Sequence, residues 1–161
     1  MKKILKGLSL SILFFVASLM TVQAFANVCG VVTTSRDPLN IRSGASQTSK
    51  FILKAAKGSA LRILDVRGAW YKVKVNNGKV GYGNMDYISE LTPRSSEGCA
   101  IVNTSQTSMN IRSSASQASK VISKAAKGSA LRILVRGTWY KVLLNNGKVG
   151  YAHSDYVKAL N

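Results

Sequence analysis

One stretch of roughly 60 residues is written twice in this chain of 161. Asn40-Ile41-Arg42-Ser43 returns as Asn110-Ile111-Arg112-Ser113, and Lys54 to Leu64 returns unchanged as Lys124 to Leu134. Trp70-Tyr71-Lys72-Val73 returns as Trp139-Tyr140-Lys141-Val142, and Asn76 to Tyr82 as Asn145 to Tyr151. Aligning Cys29–Ile88 with Cys99–Val157 gives about 41 identities in 59 pairs, the offset falling from 70 to 69 because Asp65 has no partner. A fixed internal period signals repeated copies of one structural unit. Solenoid units stack because none buries its apolar face alone. Two copies, each long enough to be a small domain, point instead to tandem domains.

The pattern within each copy is that of strands. In Ala69-Trp70-Tyr71-Lys72-Val73-Lys74-Val75, Tyr71, Val73 and Val75 share one face, and Trp70, Lys72 and Lys74 share the other. Val75-Asn76-Asn77-Gly78-Lys79-Val80 reads as a hairpin, its Asn-Gly pair suited to positive φ. Lys57-Gly58-Ser59 and Arg67-Gly68 punctuate earlier strands. Short strands between turn signals predict an all-β chain made of small barrels or sandwiches. Ser49–Lys57 is the single mild helical candidate, stopped by Gly58. About 60 residues is near the lower limit for one hydrophobic core.

The N-terminus carries an export signal. Lys2, Lys3 and Lys6 precede a largely apolar run, Leu8–Val22, and Ala24-Phe25-Ala26 supplies an A-x-A cleavage site. The run is short for a membrane span, and Val28 before Cys29 departs from a lipoprotein signal. The expectation is a signal peptide over residues 1–26 and a mature chain working in the periplasm or outside the cell. Without the three signal lysines, 20 basic residues face 6 acidic ones, a net charge of +14. Such a field attracts polyanions. Basic pairs such as Arg42/Arg112, Lys54/Lys124, Lys57/Lys127 and Arg62/Arg132 recur, so each copy is basic by itself.

Catalysis lacks its parts. The one histidine, His153, aligns with Asn84, and among the mature carboxylates only Asp86 and Asp155 correspond between copies, where they suit a turn before the last strand. There is no C-x-x-C, no metal-ligand spacing and no phosphate-cradling glycine loop. No catalytic residue, metal site or cofactor is expected. Cys29 and Cys99 head the two copies at equivalent positions. In an oxidising compartment two cysteines invite a disulfide, whether within the chain or between two chains, with two buried thiols as the remaining alternative.

An ordered set of short motifs carries a family resemblance. Leu39-Asn40-Ile41-Arg42-Ser43-Gly44-Ala45-Ser46, Lys57-Gly58, Trp70 to Val73, Gly78-Lys79-Val80-Gly81-Tyr82 and Asp86-Tyr87-Ile88 together resemble a bacterial SH3-type domain. The second copy runs in the same order from Met109 to Val157. The resemblance implies a five- or six-stranded SH3-like barrel per copy: domain 1 over residues 27–91, a linker over 92–98, domain 2 over 99–161. The ends of such a barrel lie close together, which would bring Cys99 back to Cys29. That bridge would close a loop of about 70 residues and stabilise by roughly 4 kcal/mol in the chain-entropy model.

The binding candidates follow from the same likeness. Trp70 and Trp139 resemble the first tryptophan of the pair with which SH3 domains grip peptides, and Tyr87 and Tyr156 resemble the groove-lining tyrosine. Lys72 and Lys141 sit beside the tryptophans on the outer strand face. Tyr82 and Tyr151 are assigned to the core. Asn40 is expected to bond loop backbone, and Arg42 and Arg112 to pack their stems while their heads stay wet. The resemblance implies an exported, non-catalytic binder of cell-wall peptidoglycan or its peptides, with two modules gaining avidity on one polymer. The rivals are a polyanion binder held by charge and a protein-interaction module, such as an effector, an inhibitor or a regulator of a wall hydrolase. Export argues against nucleic acid as the partner.

Overall fold

The computed structural model describes residues 28–91 and 98–160; the signal peptide read over 1–26 and most of the linker fall outside them. Each repeat forms one seven-stranded antiparallel sheet. The first contains β1 (Val28–Val32), β2 (Leu39–Arg42), β3 (Phe51–Ala55), β4 (Ala60–Arg67), β5 (Trp70–Lys74), β6 (Val80–Asn84) and β7 (Ile88–Leu91), in the spatial order β3-β2-β6-β5-β4-β1-β7. The second contains β8 (Gly98–Val102), β9 (Ser108–Arg112), β10 (Val121–Ala126), β11 (Ala130–Val135), β12 (Trp139–Leu143), β13 (Val149–His153) and β14 (Val157–Leu160), in the same relative order. A single 3-10 turn precedes each last strand, Met85–Tyr87 and Ser154–Tyr156.

The two edge strands of the first sheet show how it curls. Ala55 of β3 and Ile88 of β7 join the same buried cluster as Val32, Leu39, Ile41, Leu61, Ile63, Tyr71, Val73 and Val75. A flat sheet of this order would hold its edges six strands apart, so the sheet closes on itself as a small barrel. The all-β expectation and the two tandem barrels therefore hold, with seven strands per repeat in place of five or six. Tyr71, Val73 and Val75 are buried as their alternation requires.

Three local expectations are corrected. Ser49–Lys57 is no helix: β3 occupies Phe51–Ala55, paired with β2. A nine-residue segment interrupted by lysines is too short to hold a helix against a waiting sheet edge. Tyr82 and Tyr151 stand half-exposed on the outer face, Tyr82 opposite Arg42 and Lys72. The inward positions of β6 are Gly81 and Gly83. A Cβ on Gly81 would lie 2.6 Å from Ile41 Cγ2 and 2.8 Å from the Arg42 carbonyl oxygen, so only glycine allows β6 to approach β2 there. Asp86 does not fix the final turn by its side chain. Asn84 does, its Oδ1 accepting from the Asp86 backbone N–H at 2.9 Å.

The unpartnered Asp65 lies at a bulge. The β4–β5 register shifts between Ile63 and Asp65, and the β11–β12 register shifts at the equivalent place without the extra residue. In the first repeat Asp65 pairs with Arg67 at 3.1 Å, and the hairpin ends at Gly68 with φ +58°. The bulge is common to both repeats, so the extra residue goes into a longer hairpin: β4 runs on to Arg67, opposite Trp70, whereas β11 ends at Val135, and the insertion stays out of the core.

The repeats are joined along the outer faces of β1 and β8. A disulfide links Cys29 and Cys99, with Cα atoms 6.6 Å apart. Around it Ala60, Ala130 and Ile101 are buried, with Leu91 and Leu160 packed against them. Two hairpin tips cross over this patch. The Asn76 N–H donates to Asn145 Oδ1 at 2.7 Å and the Asn145 N–H to Asn76 Oδ1 at 2.7 Å. The Asn145 side-chain amide donates to the Ala60 carbonyl at 2.9 Å, and that of Asn76 to the Ala130 carbonyl. Both asparagines are buried, and this exchange satisfies groups that burial would otherwise penalise.

Candidate binding clefts

Each barrel carries a cleft at the end remote from this junction, and the strand register explains its walls. Trp70 begins β5 and pairs with Asn84 at the end of β6; Trp139 pairs likewise with His153. Inward-facing Tyr71 and Val73 hold β5 to the core, so Trp70 must face out. The 3-10 turn then places Tyr87 beside it. Asn84 caps that turn through Oδ1, and in the second repeat His153 Nδ1 takes the same role toward the Asp155 N–H at 3.4 Å.

The first cleft encloses about 360 Å³ between Trp70, Tyr87, Asn84, Asn40, Arg42 and the loop residue Gln47, with Asp37 on its rim. The second encloses about 570 Å³ between Trp139, Tyr156, His153, Asn110, Arg112 and Gln117, with Lys124 added. In the second, the Trp139 and His153 rings meet edge to face at 4.8 Å, and His153 and Tyr156 lie 5.9 Å apart. Tyr87 and Tyr156 are 49% and 46% exposed, leaving each ring a free face for an apolar or planar group.

Of the residues singled out from sequence, Trp70 comes together with Tyr87, and Trp139 with Tyr156. Lys72 and Lys141 do not line the clefts; their strand positions face Tyr82 and Tyr151. Asn40 and Asn110 are exposed cleft residues, where loop bonding was expected. Arg42 and Arg112 turn their heads to protein: Nη1 donates to the Ser49 carbonyl at 2.9 Å and to the Ser119 carbonyl at 2.6 Å. Each arginine thereby ties the loop that carries Gln47 or Gln117 to the cleft wall.

Chemically the clefts are aromatic slots rimmed by amides and hydroxyls, able to stack a flat or apolar group and hydrogen-bond an amide or sugar. They differ in charge. The first sets Asp37 near Arg42, whereas the second has Thr107 at that place and gathers Arg112 and Lys124. Among the described residues no cluster of three or more His, Cys, Asp or Glu side chains could hold a metal. No helix among them is long and apolar enough to cross a membrane.

Comparison with known proteins follows the repeat. A family model described as "Bacterial SH3 domain" matches residues 37–89 and again 107–158. The chain is 28% identical over 139 residues to a protein of Bacillus subtilis (strain 168) provisionally named an N-acetylmuramoyl-L-alanine amidase, YrvJ. That match takes in 81% of this chain and 26% of the amidase, so the chain spans about a quarter of that relative's length. Among solved structures it is similar to NlpC2 from Trichomonas vaginalis, with 16% identity, a TM-score of 0.36, and coverage of 81% of this chain and 47% of that one. An NlpC/P60 family protein from Bacillus cereus gives 14% identity, a TM-score of 0.36, and coverage of 81% and 56%.

Proposed function

This chain belongs to the bacterial SH3 domain family, and from that membership we propose an exported, non-catalytic protein whose clefts bind cell-wall peptidoglycan or its peptides. Domains of this family are cell-wall binding modules, and a relative with the same domains bears the name of a wall amidase. The matched regions contain Trp70, Tyr87, Trp139 and Tyr156 but no catalytic set.

The observation that carries the reading is that one aromatic cleft is built twice with the same partners. Trp, Tyr, Asn, Arg and Gln recur at equivalent places around both cavities. Stem peptides offer the amides, methyl groups and carboxylates that such a slot can hold. Without a catalytic set of its own, the protein would hold wall material or deliver a partner hydrolase to it.

A second reading rests on charge. Basic residues retained in both repeats favour an anionic envelope polymer, bound over the surface and not in the clefts. Substitution separates the two. Trp70→Ala with Trp139→Ala is expected to reduce sedimentation with purified sacculi by at least tenfold, roughly 1.4 kcal/mol. Lys72→Gln with Lys141→Gln, outside the clefts, should change it little. Equal losses in the two variants, or none from the tryptophan pair, would count against the cleft reading.

A further inference from the structure

The junction between the repeats has the form of a two-fold dimer interface inside one chain. Its central contacts come in matched pairs. Asn76 bonds Asn145 as Asn145 bonds Asn76, and the Ala56 N–H donates to the Asn145 carbonyl as the Ala126 N–H does to the Asn76 carbonyl, both at 2.7 Å. The disulfide joins equivalent cysteines. An isologous interface of this kind relates its halves by a 180° rotation.

The register at the junction fixes which way the clefts point. Gly128, two residues before β11 begins, lies against Arg62 of β4, whose Nη1 donates to the Gly128 carbonyl at 3.0 Å. The Lys74 ammonium donates to the neighbouring Lys127 carbonyl at 2.8 Å, and Gly58 packs against Leu143 in the mirror contact. Moving back from Ala130 to Gly128 thus moves toward the first barrel's strands, and moving forward along β11 moves away from them. β4 and β11 therefore run in opposite directions from the junction. β4 reaches Arg67, opposite Trp70, after seven steps. At about 3.3 Å each these span roughly 23 Å. The two tryptophans sit at opposite ends of the molecule, up to about 45 Å apart by the same spacing.

Rotation about the dyad reverses any direction that runs from one cleft toward the other. A polymer with distinct ends, threading both clefts, would lie the right way round in one and backwards in the other. The two clefts consequently suit two separate strands. The disulfide and the buried asparagine exchange hold the repeats together directly.

Resting on the reading that the clefts take wall material, we propose that this protein is a rigid bridge, holding two peptidoglycan strands at once, one at each end. The proposal replaces the expected avidity on one polymer with cross-linking between two.

The test uses sonicated peptidoglycan strands stripped of anionic polymers, in ~0.5 M salt to suppress charge-driven clumping. As protein is added, scattered light should rise several-fold, pass through a maximum, and fall when excess protein loads every strand singly. Trp70→Ala and Trp139→Ala, taken one at a time, should each still sediment with intact sacculi yet give no rise. Tyr87→Ala and Tyr156→Ala, at half-exposed positions, should repeat that result. Protein that sediments with sacculi but gives flat scattering at every ratio would overturn the bridge and leave the binding reading standing. Single-cleft variants that scatter as strongly as the parent would overturn it too. Protein that sediments with no sacculi would defeat the binding reading, and the bridge with it.

Discussion

Tyr71 shows how one side chain makes the repeats unequal. Its hydroxyl donates to Glu90 Oε1 at 2.5 Å, whereas the equivalent of Glu90 in the second repeat is Ala159. Burial, then the bond to Glu90 and its charge, push the Tyr71 hydroxyl up to about 12 from its ordinary value of 10.0. A raised value means the folded state holds the proton more tightly. The resulting stability is fully present below pH 10 and lost as pH rises from about 10 toward 12. Tyr71→Phe should therefore flatten the fall in thermal midpoint over that window, and an unchanged fall would contradict the assignment. The same scale accounts for which cleft residues were legible. Trp70, Tyr87 and their mates could be read because large rings at outward strand positions, repeated in both copies, match a known groove. Asn40, Gln47 and the His153-for-Asn84 exchange carried no such mark, since a polar residue on an outer face is ordinary in any strand. The repeated Asn-Ile-Arg did hold the signal: with Ile41 in the core, Asn40 and Arg42 must face out beside the tryptophan.

At the level of strands and turns, glycine and asparagine set the geometry. Gly81→Ala should lower stability by about 1–3 kcal/mol, as overpacking does, because the added methyl meets the Arg42 carbonyl at 2.8 Å, and backbone does not yield. Urea unfolding would measure it. The hairpin tips behave differently. Their Gly78 and Gly147 have φ +87° and +80°, as the Asn-Gly pairs predict. What the sequence did not reveal is that Asn76 and Asn145, one residue earlier in each tip, serve the junction between repeats. Hairpin asparagines look alike whether they cap their own turn, as Asn77 does toward the Lys79 N–H, or plug a neighbour. Asn76→Ala should strand the buried Asn145 N–H and Ala130 carbonyl, at about 1–3 kcal/mol for each unpaired group. Under reducing conditions its melting should fall well below that of Asn77→Ala, and a drop of equal size would contradict the assignment. The helix predicted over Ser49–Lys57 failed for a reason of the same kind: pairing with β2 outweighs a weak local preference.

For the whole molecule, two family domains are locked back to back, with their aromatic clefts at the far ends. The repeat, the all-β class and the cysteine pair were visible in the sequence because identical residues at a fixed offset must fold alike. The dyad was not, since nothing in a repeat states whether its copies touch. Reducing the Cys29–Cys99 bridge should leave both barrels folded, each having its own core, while removing up to about 4 kcal/mol of stability on a loop of this length. The account turns on whether clefts or charge bind the wall. The direct measurement is sedimentation of the purified protein with sacculi free of anionic polymers, from low salt to ~0.5 M, where exposed charges are screened to a few ångströms. The clefts predict binding that is largely retained across the series. Binding that vanishes with salt would contradict them and assign the affinity to the basic surface.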